Sequence, residues 1–309
     1  MEDKDIVGRR GFIRSASGLV LAGAFGRWPI GMSGVVFHSD WSSGRGRAST
    51  AIRDASKKRP WQIYIGGQER GQAVACSVVD GRALGFPTAN CLQVDCIVGV
   101  PHNDMQEFHT GQVSNLPGGN AWPIPQVGES LYYRVYKRLA YPHHVTEPPP
   151  TGNNNHCLEE RSGSRTNWSW TFYTAAEGWN PTFNVWVAGL PTRFALGGMR
   201  PIRLARDRVY RLEWAVHRVS VDRRRHEARI YDGDDRLLHS TREFSTGRMS
   251  LDGFTAPMNP TQLDGLQLGT NGMGFNPPNE PRRSVIPAWF FAGVAVSNGG
   301  WCGAYRNGV

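Results

Sequence analysis

Ser130-Leu131-Tyr132-Tyr133-Arg134-Val135-Tyr136-Lys137-Arg138-Leu139 reads with a period of two. Leu131, Tyr133, Val135 and Leu139 fall on one side, and Arg134, Tyr136 and Arg138 on the other. Such alternation predicts a half-buried β-strand, because successive side chains of an extended chain point to opposite faces. The pattern recurs downstream. In 167–173, Trp168, Trp170 and Phe172 alternate with Ser169 and Thr171; in 182–188, Phe183, Val185 and Val187 alternate with Asn184 and Trp186. Along 209–221, Tyr210, Leu212, Trp214 and Val216 are expected inward, with Arg211, Glu213 and His217 outward. Segments 226–231 and 237–244 flank Asp232-Gly233, and an Asp-Gly between two alternating runs predicts a hairpin. The run from Ala288 to Ser297 is apolar on both faces, as a strand covered on both sides should be. Shorter strand-like pieces lie at 61–65 and 73–79, and 48–58 is the one stretch expected to be helical. Many short strands with turn signals every ten or so residues predict an all-β chain, a two-sheet antiparallel sandwich with few short helices.

Composition agrees. The 309 residues include 37 Gly, 20 Pro and 11 Trp, with only 20% charged. Gly and Pro exceed average usage without reaching low-complexity levels. An extended coiled coil, a disordered chain and a multi-span membrane protein are all excluded, and the length suffices for one large core.

Near the N-terminus stands Arg9-Arg10-Gly11-Phe12-Ile13-Arg14, followed by a small-rich apolar run from Ala16 to Ala24. This order resembles the twin-arginine export signal. The apolar run is too short to span a bilayer, and Ala22-Gly23-Ala24 fits an A-x-A cleavage site. Residues 1–24 are therefore expected to be a signal peptide, 25–34 a linker and 35–309 a single domain, exported to the periplasm or beyond. No later segment reaches the roughly 18 apolar residues of a membrane helix. Removing 1–24 takes away four Lys/Arg and three Asp/Glu and lowers the net charge from +9 to +8. Outside the cytoplasm, that excess points to an acidic glycan or an anionic envelope surface rather than to nucleic acid. Five cysteines, Cys76, Cys91, Cys96, Cys157 and Cys302, enter a disulfide-permissive compartment. Cys91 and Cys96 are candidates for a short-range bridge, and one thiol must stay unpaired or bridge between chains. No Cys/His spacing fits zinc.

Three stretches, Tyr132 to Tyr136, Tyr210 to Arg218 with Ala228 to Leu238, and Trp289 to Ser297, resemble the concanavalin A-like lectin/glucanase superfamily of laminin-G-like domains, glucanases and jelly-roll polysaccharide lyases. The resemblance implies a jelly-roll sandwich with a concave, glycan-facing sheet. The Glu-x-Asp-x-x-Glu strand of the family's glucanases is absent. Glu159 and Glu160, being adjacent, face opposite sides of any strand and do not form a glycosidase pair.

A metal-free glycan lyase needs a cation for the uronate carboxylate and a Tyr or His to move the C5 proton. Arg134, Tyr136 and His217 are the candidates for that set, provided their strands adjoin. Arg138, Trp186, Glu213 and Arg229 are expected to contact glycan, Trp186 as a stacking platform. His143, His144 and His156 bracket a Pro/Asn-rich loop suited to a lid, and more so to a plain surface loop. No cofactor is expected; Asp232, Asp234 and Asp235 suit a structural calcium, although a hairpin turn explains them as well. The expected partner is an acidic polysaccharide, bound or cleaved by β-elimination. The alternative is a non-catalytic, self-associating structural or adhesive surface protein.

Overall fold

The computed structural model describes residues 34–42, 44–47, 51–52, 61–65, 76–97, 106–110, 125–139, 155–162, 165–175, 178–187, 190–195, 202–240, 255–257, 265–269 and 285–306. The chain divides into two units, Met1–Ser33 and Gly34–Val309. The export signal expected at 1–24 lies outside the described residues, as do His143 and His144.

In chain order the strands are β1 Val35–Ser39, β2 Gly46–Arg47, β3 Ala51–Ile52, β4 Trp61–Ile65, β5 Cys76–Asp80 and β6 Asn90–Ile97. They continue as β7 Gln106–Thr110, β8 Ser130–Leu139, β9 Asn155–Ser162, β10 Arg165–Ala175, β11 Gly178–Val187 and β12 Leu190–Ala195. The last six are β13 Val209–Arg218, β14 Arg223–Tyr231, β15 Leu237–Ser240, β16 Thr255–Pro257, β17 Gly265–Gly269 and β18 Val285–Ser297. A single 3-10 turn, Arg82–Leu84, is the one helical piece among the described residues. All pairings are antiparallel. The first sheet runs β15-β14-β13-β8-β18-β6-β5-β2, with β1 beside β18 and β16 beside β14; the second runs β12-β11-β10-β9-β17-β7-β4-β3. This is the two-sheet antiparallel sandwich that the alternation predicts. No helix among the described residues is long and apolar enough to cross a membrane.

The first sheet presents one parity of its strands to the second. Tyr133 on β8 stacks on Trp214 of β13 with centroids 4.9 Å apart and planes 5° from parallel. Across the sandwich, Trp179 of β11 meets Trp289 of β18 edge-on at 6.0 Å, and Phe183 meets His226 of β14 at 5.5 Å. Each such large apolar side chain contributes about 1.5–3 kcal/mol on burial. The β13–β14 and β14–β15 hairpins set the register. At the latter, the Asp232 carboxylate accepts the N–H groups of Asp234 and Arg236, both at 2.9 Å, and Asp235 takes a left-handed φ of 62°.

Several expectations are corrected. Ala51 and Ile52, expected to be helical, pair with Gln62 and Trp61 as strand, because the adjacent β4 offers ladder hydrogen bonds; 48–50 and 53–60 lie outside the described residues. Cys91 and Cys96 both lie on β6. Five residues apart on one extended strand, they are separated by about 16 Å, beyond the reach of a disulfide. Cys91 is a buried, free thiol. β13 ends at Arg218 instead of continuing to 221, where Val219 and Ser220 turn back onto Arg223.

Candidate functional site

Register brings the polar residues of β8, β13 and β14 into rows on the face of the first sheet that points away from the second. Ser130, His217 and Arg225 form one row; Tyr132, Ala215 and Glu227 the next; then Arg134, Glu213 and Arg229; then Tyr136, Arg211 and Tyr231. Arg134, Tyr136, Glu213, His217 and Arg229 therefore share one face on adjoining strands. Arg138 continues the same face one row further, opposite Val209. At the end of β8 it donates to the Leu84 carbonyl at 2.8 Å and pairs with Asp207 at 3.3 Å. Trp186 lies on β11 in the second sheet, opposite Pro191, and His156 lies on β9.

This outward face is covered. Arg134 and Glu213 are each 1% exposed and Tyr136 3%. The cover is residues 298–306, which follow β18 back over the sheet. Arg134 donates from Nε to the Gly293 carbonyl at 2.8 Å and from Nη1 to the Gly303 carbonyl at 3.2 Å. The Tyr305 N–H donates to the Tyr136 hydroxyl at 2.9 Å. The Cys302 thiol approaches the Tyr132 carbonyl at 3.6 Å. Glu213 pairs with Arg211 at 3.3 Å, and Arg211 also meets Asp235 at 3.2 Å. The acidic hairpin cluster is thus engaged in its own turn and in holding Arg211. Among the described residues, no three metal-binding side chains stand together.

Burial governs the titration of this buried row. It pushes the Glu213 carboxyl up, against the pull of Arg211, Arg134, the Gly303 backbone and Arg229. It also raises the Tyr136 hydroxyl, against the Tyr305 N–H and Arg134. The Cys302 thiol is driven up to about 12 by burial.

The rows open where the cover ends. The Trp301 ring lies under the Arg229 guanidinium at 3.8 Å and meets Tyr132 edge-on at 5.4 Å. Arg229, Tyr132 and Trp301 are all half-buried. Tyr132 continues into a pocket of about 340 Å³, lined also by Pro125, Gly128, Glu129, Ser130, Leu131, Asn298 and Gly299. At its edge Ser130 Oγ lies 2.7 Å from His217 Nδ1, and His217 Nε2 lies 3.2 Å from a Glu227 oxygen that also takes Arg225 at 3.1 Å. Burial lowers the His217 pKa, opposed by Glu227.

Sequence reading missed Ser130, Glu227 and Trp301 as site residues. Ser130 and Glu227 acquire a role only through the register that sets them around His217, and Trp301 only through the return of the chain over the sheet. It also missed Lys137, which has the parity of Tyr133 and Val135 and is fully buried, with Nζ 3.5 Å from the Trp289 centroid and 5.2 Å from that of Phe291. That parity was the available signal, and cation–π contact is what makes the position tolerable for an ammonium.

No family model matches the chain, and no curated protein matches its sequence. Among solved structures, a cellulose-induced protein, Cip1, is 12% identical with a TM-score of 0.47, covering 85% of this chain and 97% of that one. An endo-β-1,4-glucuronan lyase from the fungus Trichoderma reesei is 10% identical with a TM-score of 0.44, covering 85% and 95%. A PL-14 alginate lyase from Aplysia kurodai is 9% identical with a TM-score of 0.41, covering 76% and 89%.

Proposed function

We propose that this protein binds an acidic polysaccharide outside the cytoplasm, at the shelf made by Arg229, Trp301 and Tyr132. The observation that carries the reading is the convergence of a guanidinium and two aromatic rings, one of which, Tyr132, lines a pocket, on a chain with a net charge of +9. A guanidinium pairs with a uronate carboxylate through charge-assisted hydrogen bonds. An aromatic ring beside it offers an apolar surface to the C–H face of a sugar. Arg134, Tyr136 and Glu213 support the shelf from beneath, through the segment that carries Trp301. Proton abstraction by Tyr136 or His217 with Arg134 neutralising the carboxylate would require that segment to leave the sheet, so the proposal is binding rather than β-elimination. The twin-arginine motif supplies the proposed route of export.

Affinity electrophoresis through gels containing polyuronate or neutral glucan tests the reading. The expected result is retardation by polyuronate alone, weakened by added salt as screening predicts, with no unsaturated uronate product in ultraviolet absorbance. Equal migration in all gels would overturn the binding proposal; product formation would restore the lyase.

A further inference from the structure

We propose that Ser130, His217 and Glu227 form a nucleophilic relay at the pocket edge that cleaves small carboxylic esters by acyl transfer, an activity beyond polysaccharide binding. Ser130 Oγ is within strong hydrogen-bond distance of His217 Nδ1, at 2.7 Å. The opposite ring nitrogen, Nε2, stands 3.2 Å from Glu227. A carboxylate there favours the tautomer with the proton on Nε2 and leaves Nδ1 as the acceptor that a serine hydroxyl needs. The usual assignment of the two nitrogens is exchanged, and either one serves as the base.

The surroundings fit the role. Tyr132 meets the imidazole edge-on at 5.9 Å and limits its rotation. Arg225 holds the same Glu227 oxygen at 3.1 Å and keeps the carboxylate directed at the ring. Burial lowers the His217 pKa, against the pull of Glu227, which favours the neutral ring that accepts a proton. Ser130 lines the pocket and is only partly buried, and Asn298 lines the same pocket. By contrast Cys91 and Cys302, whose thiols burial drives up to about 12, are poor nucleophiles.

In the reaction, Ser130 Oγ attacks the ester carbonyl carbon while its proton passes to His217 Nδ1. The carbonyl C–O bond to the alcohol then breaks, and the alcohol leaves with that proton. Water attacks the acyl-serine in the same manner, giving its proton to His217, and the carboxylic acid departs as Ser130 recovers the proton. No oxidant or further co-reactant is needed. Glu227 acts as a positioning residue, through His217.

The full chain is incubated with a fluorophosphonate, which phosphonylates an activated serine and releases fluoride, and the adduct is located by peptide mass spectrometry. The expected result is one adduct, on Ser130, formed at least about 100-fold more slowly in His217→Ala. Glu227→Gln is expected to slow labelling about tenfold and to move the acid limb of its pH profile downward, because the carboxylate that raises the His217 pKa is gone. An unlabelled wild-type Ser130, or labelling indifferent to His217→Ala, would overturn the proposal whatever the stability of the variants. An unmoved acid limb would overturn the role of Glu227. Polyuronate retention is read separately, so failure of the esterase leaves the binding measurement intact.

Discussion

Gly293 shows how one residue fixes the buried row. It sits in β18 with a φ of 53°, at the register shift between Ala292 and Ala295, and its carbonyl holds Arg134. A Cβ there would stand 3.0 Å from Tyr136 Cδ2. Gly293→Ala is expected to cost about 1–3 kcal/mol, combining left-handed strain with displacement of the Tyr136 ring. Gly128, with a φ of 89° and open space around its Cβ position, isolates the strain alone. Its alanine variant is expected to lose about 1 kcal/mol. Urea denaturation of both variants checks the difference. His226 supplies a second prediction at this scale. Fully buried against Phe183, its pKa is held well below the ordinary value by burial, aided by repulsion from Arg224 and His217. The unfolded chain then binds a proton that the native state refuses. Stability is fully present above about pH 6.5 and falls by about 1.4 kcal/mol per unit as pH drops towards the depressed native pKa. His226→Leu should flatten that slope in urea midpoints measured across the same range.

Elements explain what sequence could and could not disclose. β8 runs over the ten residues of its alternation, and β14 alternates buried and half-buried residues from Arg224 to Tyr231. Period two was legible because it arises within each strand. It reports two faces, however, without saying what covers either one. The Arg134 and Glu213 face reads as solvated, and only the return of 298–306 makes it buried. The cysteines are an instance of the same gap: Cys91 and Cys96 look close in sequence, yet one uninterrupted strand holds them apart. Thiol titration is expected to find Cys91 and Cys302 unreactive in the native protein at mildly alkaline pH and reactive once denaturant opens both sites. Prompt native labelling of either would contradict the packing of β6 or of the covering segment. The elevated thiol pKa of Cys302 also makes it a poor choice for the intermolecular bridge of a self-assembling surface protein.

At the scale of the whole molecule, the sandwich followed from alternation because both sheets need an apolar face to bury. The site followed only in part. Six of the seven residues singled out for chemistry, Arg134, Tyr136, Arg138, Glu213, His217 and Arg229, lie on one face because β8, β13 and β14 are neighbours. The aromatic partner of Arg229 proved to be Trp301, from the last described segment, whereas Trp186 stands in the other sheet, and no local pattern encodes that long-range contact. The proposed glycan binding turns on this pair. Titration calorimetry of wild-type protein and Trp301→Ala with a uronate oligosaccharide, at low and high salt, tests it most directly. Salt-sensitive binding by the wild type is expected, with a loss of about 1–2 kcal/mol, roughly 5–30-fold, in the variant and the fold retained by circular dichroism. Equal affinity of the two proteins, or no binding by the wild type at either salt concentration, would contradict it.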